Sequence, residues 1–364
     1  MIPFINLKRQ YSSLRTELLA ASDDVYSSGI VLDGAYTARF ENAIADRCNR
    51  KYAVAVNSGT QGLVFSHLAV GGTSTIIPAT SFVATLNSAL LSETNPIIVD
   101  VDDDGIMDIM RMGDLLPEIH PNEAFSINYV NLYGNVIDYD KLKVVSNFFG
   151  RDDISIIEDA AQSFGAKYKG IPSGKLGDIS VLSFDPTKNL PNYGSGGMVL
   201  TDDPVIYNTL RDLRDNGKYQ GFEFAGTNSK MSENDCAHML IKLNNFDMWQ
   251  QRRTDIANFY TEYLSEFVSP VLPKKDVEHA WHKYVIRTGD RNHLKNYLAK
   301  NGVETKIHYE TNLNEYAVNN FNYTAVLKAE LLSNEVLSLP IYPELTDSEV
   351  EHVATTIVNF YTDH

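Results

Sequence analysis

The chain of 364 residues is too long for one small core, which favours one large domain with a smaller one beside it. Its hydrophobic fraction of 43% and charged fraction of 21% are ordinary for a globular protein and argue against a fibrous or largely disordered chain. The 47 acidic and 31 basic residues give a net charge of −16, which would repel nucleic acid, and a phosphorylated small ligand would need a locally positive pocket.

The sequence gives no support for metal binding, secretion or membrane insertion. The two cysteines, Cys48 and Cys236, form no metal-ligand spacing, and the nine histidines lack HExxH or paired spacing. Residues 1–7 lack a basic stretch followed by an apolar core, and no apolar run is long enough to span a bilayer. We therefore expect a cytoplasmic protein without a metal site, a nucleic-acid partner or a membrane partner.

From about residue 50 to residue 205, short apolar runs rich in β-branched residues alternate with segments of helical period. This alternation predicts an α/β domain with a largely parallel sheet. The predicted strands are residues 52–56, 75–77, 96–101, 126–130, 154–157, 179–184 and 198–201.

Beyond residue 230 the pattern changes. Ser232 followed by Asp235 is typical of a helix cap, and a long helix running to about Leu264 is expected to join two domains. A strand at 281–286, a helix at 293–301 and a terminal helix from Asp347 indicate a small α+β domain. We expect a large domain over 12–240 and a small one over 241–364, with residues 1–11 packing near the small one.

Ser58, Gly59 and Thr60 lie between a predicted strand and a predicted helix. Free backbone N–H groups and the helix dipole favour an anion at such a position, so a phosphate could bind there. Small residues at this place also serve simply as a turn and an N-cap, and taken alone that interpretation is the more common one.

Asp159 ends a very apolar strand at the edge where open α/β sheets place their ligands. An acid there can hold a ring nitrogen protonated, although Glu158 or Asp159 could instead cap a following helix. Gln162, three residues later, would share a helical face with Asp159 and could donate to the same ligand; by itself it would more often be a solvated glutamine.

Lys188 follows the strand at 179–184 and precedes the glycine-rich stretch Gly194-Ser195-Gly196-Gly197. A lysine that forms a Schiff base must lie at the sheet edge and be partly desolvated so that it loses its proton. A lysine in a loop is usually a solvated charge. The combination with the anion site and Asp159 supplies the phosphate, nitrogen and aldehyde contacts that pyridoxal phosphate (PLP) requires.

A set of motifs spread over nearly the whole chain carries a family resemblance. They are Ile2-Pro3-Phe4, Phe40-Glu41, Asn57-Ser58-Gly59-Thr60, Pro78-Ala79-Thr80-Ser81-Phe82, Glu158-Asp159-Ala160-Ala161-Gln162-Ser163, Ser183-Phe184-Asp185-Pro186-Thr187-Lys188-Asn189-Leu190, Gly226-Thr227-Asn228, Ile307-His308-Tyr309 and Ser338-Leu339-Pro340. With them the chain resembles the DegT/DnrJ/StrS-type PLP-dependent nucleotide-sugar aminotransferases. The resemblance implies the α/β fold type I of aspartate aminotransferase, with a mostly parallel seven-stranded sheet flanked by helices and a smaller C-terminal α+β domain.

The resemblance also implies a role for each matching residue. Lys188 would hold PLP and shuttle the proton between cofactor and substrate, Asp159 would pair with the ring nitrogen, and Gln162 would contact the ring hydroxyl. Phe82, otherwise interpreted as a core phenylalanine, would stack on the ring. The phosphate would be bound by Gly59, Thr60 and Ser183 and, from the neighbouring subunit of a homodimer, by Asn228. His308 and Tyr309 would approach the sugar or have a structural role.

The implied reaction moves an amino group from L-glutamate to a nucleotide-linked 4-keto or 3-keto 6-deoxyhexose, with PLP passing through its pyridoxamine form. The stretches 226–230 and 306–309 favour dTDP-4-keto-6-deoxyglucose, which would give 4-amino-4,6-dideoxyglucose for O-antigen or another surface polysaccharide. A 3-keto-sugar or keto-inositol aminotransferase and a non-catalytic regulatory protein remain alternatives. A sugar 3-dehydrase, which resembles the family but has histidine in place of the lysine, is disfavoured by Lys188.

The sequence departs from the family pattern near the expected pocket. Asn131 stands where histidine is frequent, and Ser195 where an acid is frequent. Asp185 replaces an aromatic or small residue, and Glu310 follows the His-Tyr pair where proline often does. Substrate choice is therefore the part of the resemblance that these residues put in doubt.

Overall fold

The computed structural model describes residues 1–119, 124–148, 154–221, 225–316 and 322–362. Its α-helices are α1 Leu7–Ser28, α2 Ala35–Arg47, α3 Gly59–Val70, α4 Ala84–Leu91, α5 Ile109–Leu115, α6 Tyr139–Phe148, α7 Pro204–Arg214, α8 Glu233–Asn244, α9 Phe246–Leu264, α10 Arg291–Lys300, α11 Leu327–Glu335 and α12 Asp347–Thr362. Short 3-10 helices lie at Leu116–Glu118, Leu132–Gly134 and Leu313–Glu315. No helix of these ranges is both long and apolar enough to cross a membrane.

The strands are β1 Tyr52–Val56, β2 Ser74–Pro78, β3 Asn95–Val99, β4 Phe125–Val130, β5 Ser155–Asp159, β6 Lys167–Tyr168, β7 Ile171–Pro172, β8 Ile179–Ser183, β9 Gly197–Thr201, β10 Ser269–Pro270, β11 Val277–Glu278, β12 Tyr284–Arg287, β13 Asn322–Tyr323 and β14 Val336–Leu339. Each of the seven strands predicted between residues 50 and 205 is present, with ends shifted by at most two residues. The strand predicted at 281–286 begins later, at Tyr284.

The main sheet has the order β1-β9-β8-β5-β4-β2-β3-β13. Strands β8, β5, β4, β2 and β3 are mutually parallel, and β9 runs antiparallel to both β8 and β1. The predicted mostly parallel seven-stranded sheet is thus confirmed, and the two-residue strand β13 extends it at the β3 edge. The carboxyl ends of β1, β5 and β8 meet the beginning of β9 at one edge, because Gly197 pairs with both Val56 and Ser183.

The side chains of the main sheet are buried on both of its faces. Ala53 and Ala55 of β1 pack into a core with α1, α2 and α8, whereas Val54 and Val56 pack with α3 and α7 on the opposite face. Successive side chains of a strand point to opposite faces, so a strand that is apolar at every position must be buried on both. Because helices cover both faces of the sheet, the side chains that point to either face are apolar, and the strands therefore appear in the sequence as continuous apolar runs.

The C-terminal part contains a three-stranded antiparallel sheet of order β10-β12-β14. Its apolar side packs with α9, α10 and α12, and Ile2 from the N-terminus joins this core. The Ile2 N–H donates to the Gly302 carbonyl at 2.7 Å. The predicted division into 12–240 and 241–364 stays a proposal; position 240 lies inside α8.

The long helix predicted from Ser232 to about Leu264 is two helices. Ser232 caps α8 as expected, with its hydroxyl accepting from the Asp235 N–H at 3.0 Å. The helix is interrupted at Asn245, whose side chain donates to the Ile241 carbonyl at 3.0 Å. The prediction of one continuous helix was wrong because the apolar period continues across the break.

Candidate active site

A cavity of about 400 Å³ opens at the sheet edge where β1, β5 and β8 end. Ten residues were singled out from the sequence, and nine of them line it: Gly59, Thr60, Phe82, Asp159, Gln162, Ser183, Lys188, His308 and Tyr309. The tenth, Asn228, does not line the cavity; it is exposed and forms a backbone bridge with Asp215. Residues distant in sequence are therefore brought to one place by the strand order.

The beginning of α3 forms one wall of the cavity. Ser58 is the N-cap, since its hydroxyl accepts from the Gln61 N–H at 3.1 Å, and Gly59 and Thr60 are the first helical residues. A Cβ atom added to Gly59 would lie 2.8 Å from the Cβ of Ser183, so only glycine lets α3 approach the end of β8 so closely. The cap and the anion site proposed from the sequence are compatible, because the first N–H groups of the helix still face the cavity.

Asp159 places a buried carboxylate at the base of the cavity. Its oxygens accept from the Ala161 N–H and the Thr85 hydroxyl, each at 3.1 Å. Burial raises the pKa of Asp159, while the Ala161 hydrogen bond and the charge of Lys188 oppose that shift. A protonated ring nitrogen beside the carboxylate would offset the cost of burying its charge.

No helix follows β5, so the expectation that Asp159 or Glu158 caps one was wrong. Residues 161–165 form a turn that begins after Ala160 donates its N–H to the Val181 carbonyl at 2.9 Å. Gln162 therefore lies in this turn, three residues after Asp159 at the end of β5, and does not share a helical face with it. Its amide is buried, accepting from the Tyr133 N–H and donating to the Tyr309 hydroxyl, each at 3.0 Å. The alternative of a solvated glutamine was also wrong.

Lys188 lies in a turn that follows β8. Its N–H donates to the Asp185 carbonyl at 2.9 Å, and the Asp185 carboxylate accepts from the N–H of Thr187 at 2.9 Å and its hydroxyl at 2.7 Å. Burial lowers the pKa of Lys188, and the charges of Asp159 and Asp185 oppose this. Lys188 is thus not an ordinary solvated lysine, because its surroundings favour the neutral amine that can act as a nucleophile.

Phe82 and the His308-Tyr309 pair form the opposite wall. The Phe82 side chain is 52% exposed and its ring centroid lies 6.2 Å from that of Tyr309, so the alternative of a core phenylalanine was wrong. The His308 imidazole shares a hydrogen bond of 2.8 Å with the Ser338 hydroxyl. Burial and then the charge of Lys283 lower the pKa of His308 to about 2, which keeps the ring neutral.

The cavity residues fit PLP on chemical grounds. The narrow cradle at Gly59 offers N–H groups to a phosphate, Asp159 offers a buried carboxylate to a ring nitrogen, and Lys188 offers an amine to an aldehyde. Within the described ranges, no group of three or more His, Cys, Asp and Glu side chains is arranged to hold a metal ion.

The model of the DegT/DnrJ/EryC1/StrS aminotransferase family matches residues 12–358. The chain belongs to this family. The erythromycin biosynthesis sensory transduction protein EryC1 of Saccharopolyspora erythraea is 34% identical to this aminotransferase over 98% of both chains. The dTDP-3-amino-3,4,6-trideoxy-alpha-D-glucose transaminase of Streptomyces venezuelae is 33% identical over 94% of this chain and 92% of its own. The crystal structure of S. venezuelae DesV in complex with ketimine intermediate superimposes with a TM-score of 0.91, at 30% identity over 99% of this chain and 98% of that one.

These similarities confirm the family, fold, enzyme class and cofactor expected from the sequence. The structure adds residues of the aminotransferase that sequence reasoning missed, namely Phe4, Thr85, Lys283 and Lys306. Phe4 belongs to a quoted motif but received no role. Lys306 belongs to the stretch 306–309 that favoured a sugar substrate, but it received no role of its own. Thr85 and Lys283 gave no signal, because each becomes notable only through its neighbours in space.

The four positions that depart from the family pattern differ in their surroundings, and Glu310 is exposed and does not line the cavity. Asp185 and Ser195 line the cavity and can influence what binds there. Asn131 is fully buried and donates to a Glu158 carboxylate oxygen at 2.9 Å. Its side chain supports the end of β5 rather than facing a ligand.

Proposed function

We propose that this aminotransferase moves the amino group of L-glutamate to a keto carbon of a nucleotide-linked 6-deoxyhexose, leaving 2-oxoglutarate and an amino-sugar. The observation that carries the proposal is the convergence of Lys188, Asp159 and the beginning of α3 on one cavity. Such a product would serve the synthesis of a surface polysaccharide or another glycan.

When bound, PLP supplies an electron-accepting ring that stabilises negative charge at the carbon bearing the transferred nitrogen. The protein contributes the contacts that hold and orient it. The N–H groups of Gly59 and Thr60 with the Ser183 hydroxyl would bind the phosphate, and the exposed face of Phe82 would stack on the ring. Gln162, fixed by Tyr133 and Tyr309, would contact the ring hydroxyl.

Lys188 and Asp159 would carry the proton chemistry. Because burial lowers its pKa, Lys188 Nζ is suited to form the covalent link to the cofactor and then to take the proton from the donor Cα. The same nitrogen would return a proton to the sugar carbon in the second half of the reaction. Asp159 would keep the ring nitrogen protonated, which requires its carboxylate to stay ionised against the cost of burial.

Transfer to a keto-sugar is supported by the relatives and by the wall formed by His308 and Tyr309. A neutral His308, fixed by Ser338, can donate or accept at a sugar hydroxyl without charge. The sequence stretches 226–230 and 306–309 favour amination at C4. The name of the S. venezuelae transaminase, which is 33% identical, favours C3 as the second candidate.

The alternative of a regulatory protein draws support from the sensory name of the relative that is 34% identical. Absorbance spectroscopy separates the two functions. An aminotransferase loaded with PLP should lose its PLP band on addition of L-glutamate and regain it on addition of a keto-sugar nucleotide. A PLP band that stays unchanged with glutamate would overturn the proposal.

The sugar is then identified by a panel of substrates. Enzyme converted with L-glutamate is mixed with dTDP-linked 4-keto-6-deoxyglucose, its 3-keto isomer or a keto-inositol, and the products are separated by mass and retention. Formation of a 4-amino sugar supports the C4 prediction, a 3-amino sugar supports the second candidate, and an amino-inositol alone would replace the nucleotide-sugar proposal.

A further inference from the structure

Two lysines that have no part in the proposed proton chemistry lie around Phe4 in the cavity. Lys283, the residue before β12, has its Nζ 5.0 Å from the centroid of the Phe4 ring. Lys306 has its Nζ 5.4 Å from the same centroid. Both ammonium groups lie within the usual distance of a cation–π contact, so the ring holds the two cations near each other at one side of the cavity.

The burial of Lys283 is unusual for a charge without a partner. The residue is only 7% exposed and lines the cavity. In the described ranges no carboxylate oxygen lies within 4.0 Å of its Nζ. Lys306 differs, because its side chain is 48% exposed and its Nζ lies 4.0 Å from a Glu304 carboxylate oxygen. Lys283 is therefore the inner cation and Lys306 the outer one.

The charges that face Lys283 are mostly positive. Its pKa lies well below the ordinary value, first because of burial and then because of the charges of Lys188, Arg253 and Lys306, with Asp185 opposing the shift. A buried ammonium surrounded in this way is costly unless an anion joins it. In a chain with a net charge of −16, this local positive surplus would also attract anionic ligands to the cavity.

We infer that Lys283, with Lys306 at the rim, binds an oxyanion of the substrate beside the reacting centre. The inference rests on the proposed function, in which both substrates carry such groups: the carboxylates of L-glutamate and the diphosphate of the keto-sugar. An ammonium is a compact charge with three donors and suits either oxyanion. The inner position next to Lys188 makes the carboxylate of the amino donor the nearer fit.

The test compares Lys283→Met, Lys283→Arg and the exposed-site control Lys300→Met in the PLP-loaded enzyme. Binding of glutarate, a dicarboxylate that cannot react, and of dTDP is measured by calorimetry. Loss of an ion pair in a cavity should weaken one of the two probes by at least about tenfold in Lys283→Met. Lys283→Arg and Lys300→Met should stay close to the wild type, and the probe that is weakened identifies the carboxylate or the diphosphate as the source of the oxyanion.

A second readout separates binding from a structural role. Removal of an unpaired buried charge should leave the melting temperature of Lys283→Met unchanged or raise it, whereas loss of a structural contact would lower it. The weakened probe should raise the melting temperature of the wild type and not that of the variant.

The inference is overturned if both probes bind Lys283→Met as they bind the wild type, or if the wild type binds neither. This failure differs from failure of the proposed function, since the wild type would still lose its PLP band with L-glutamate. If that band does not respond while Lys283→Met loses a probe, the binding site stands and the amino transfer fails.

Discussion

In the cofactor half of the cavity, which we assign to Gly59, Thr60, Asp159, Ser183 and Lys188, each residue is the last of a strand or lies within five residues after one. In the substrate half, which comprises Phe4, Lys283, Lys306, His308 and Tyr309, the residues come from the N-terminal segment and two later segments, the residue before β12 and the stretch 306–309. The carboxyl ends of parallel strands converge without help from other segments. The substrate half needs the N-terminal segment and the C-terminal part packed together, and it meets the cofactor contacts where the Tyr309 hydroxyl accepts a hydrogen bond from Gln162.

The largest effect on amino transfer is expected from removal of the central residue of the cofactor half. Lys188→Ala should lower the rate of amino transfer by about a thousandfold or more, because the variant lacks both the nucleophile and the general base. The measurement is the rate of loss of the PLP band with L-glutamate. Lys8→Ala, at an exposed position, is the control. Turnover of Lys188→Ala near the wild-type rate would refute the assigned mechanism.

Asp159→Asn should reduce the same rate by about a hundredfold, because a neutral amide cannot stabilise a charged ring nitrogen in a buried site. The substitution keeps the shape of the side chain and an acceptor oxygen for the Ala161 N–H, while the Thr85 hydroxyl would change from donor to acceptor of the new amide. The rate is measured by stopped-flow absorbance with saturating PLP, and Asp276→Asn is a control at an exposed position. Equal rates for Asp159→Asn and the wild type would mean that Asp159 serves only the fold.

The cofactor half could be predicted from the sequence because its residues stand in contiguous motifs beside strands with a clear apolar pattern. Asp159 is the last residue of β5, two residues beyond the end of the apolar run at 154–157 that predicted this strand. The turn at 161–165 could not be predicted. Ala160 still donates its N–H to the Val181 carbonyl of the neighbouring strand, and the sequence does not reveal this long-range contact.

The two lysines of the substrate half escaped prediction for a different reason, whereas His308 and Tyr309 were expected near the sugar. The significance of Lys283 depends on Phe4, 279 positions away, and on the lack of a nearby carboxylate. The exposure of Phe82 likewise follows from the cavity wall, since a phenylalanine in an apolar setting is usually buried. Periodicity reports which face of an element is apolar, and it carries no information about which distant side chains meet.

Asn228 tests whether the cofactor half is completed by a second subunit. If Asn228 of one subunit reaches the phosphate bound by the other, Asn228→Asp would place a negative charge there and should weaken PLP binding by about tenfold or more. In a mixed dimer of Asn228→Asp with Lys188→Ala, one site would carry neither change and the other would carry both. Random association of equal amounts should therefore leave about a quarter of all sites intact. The measurement is activity at limiting PLP after co-expression. Absence of recovery would show that Asn228 does not act across an interface.

The smallest effect is expected from the N-terminal tether, the contact between Arg9 at the beginning of α1 and Glu349 of α12, which lies near Phe4 in the chain. Arg9 binds Glu349 of α12 through two hydrogen bonds of 2.6 and 2.7 Å, and this contact lowers the pKa of Glu349 to about 2. A carboxyl group with a lowered pKa in the folded state contributes stability above its ordinary pKa of 4.5, and the contribution is lost as the pH falls towards 2.

Glu349→Gln should therefore lower the melting temperature by about 2 °C at pH 7, since partly exposed ion pairs contribute little, and the difference should shrink below pH 4.5 and disappear near pH 2. Scanning calorimetry against Glu351→Gln, an exposed position on the same helix, measures it. Because the Arg9–Glu349 contact lies only five residues along the chain from Phe4 and touches none of the cofactor residues, glutarate binding should weaken slightly while PLP affinity stays the same. A change in PLP affinity of similar size would show that the two halves of the cavity are not independent.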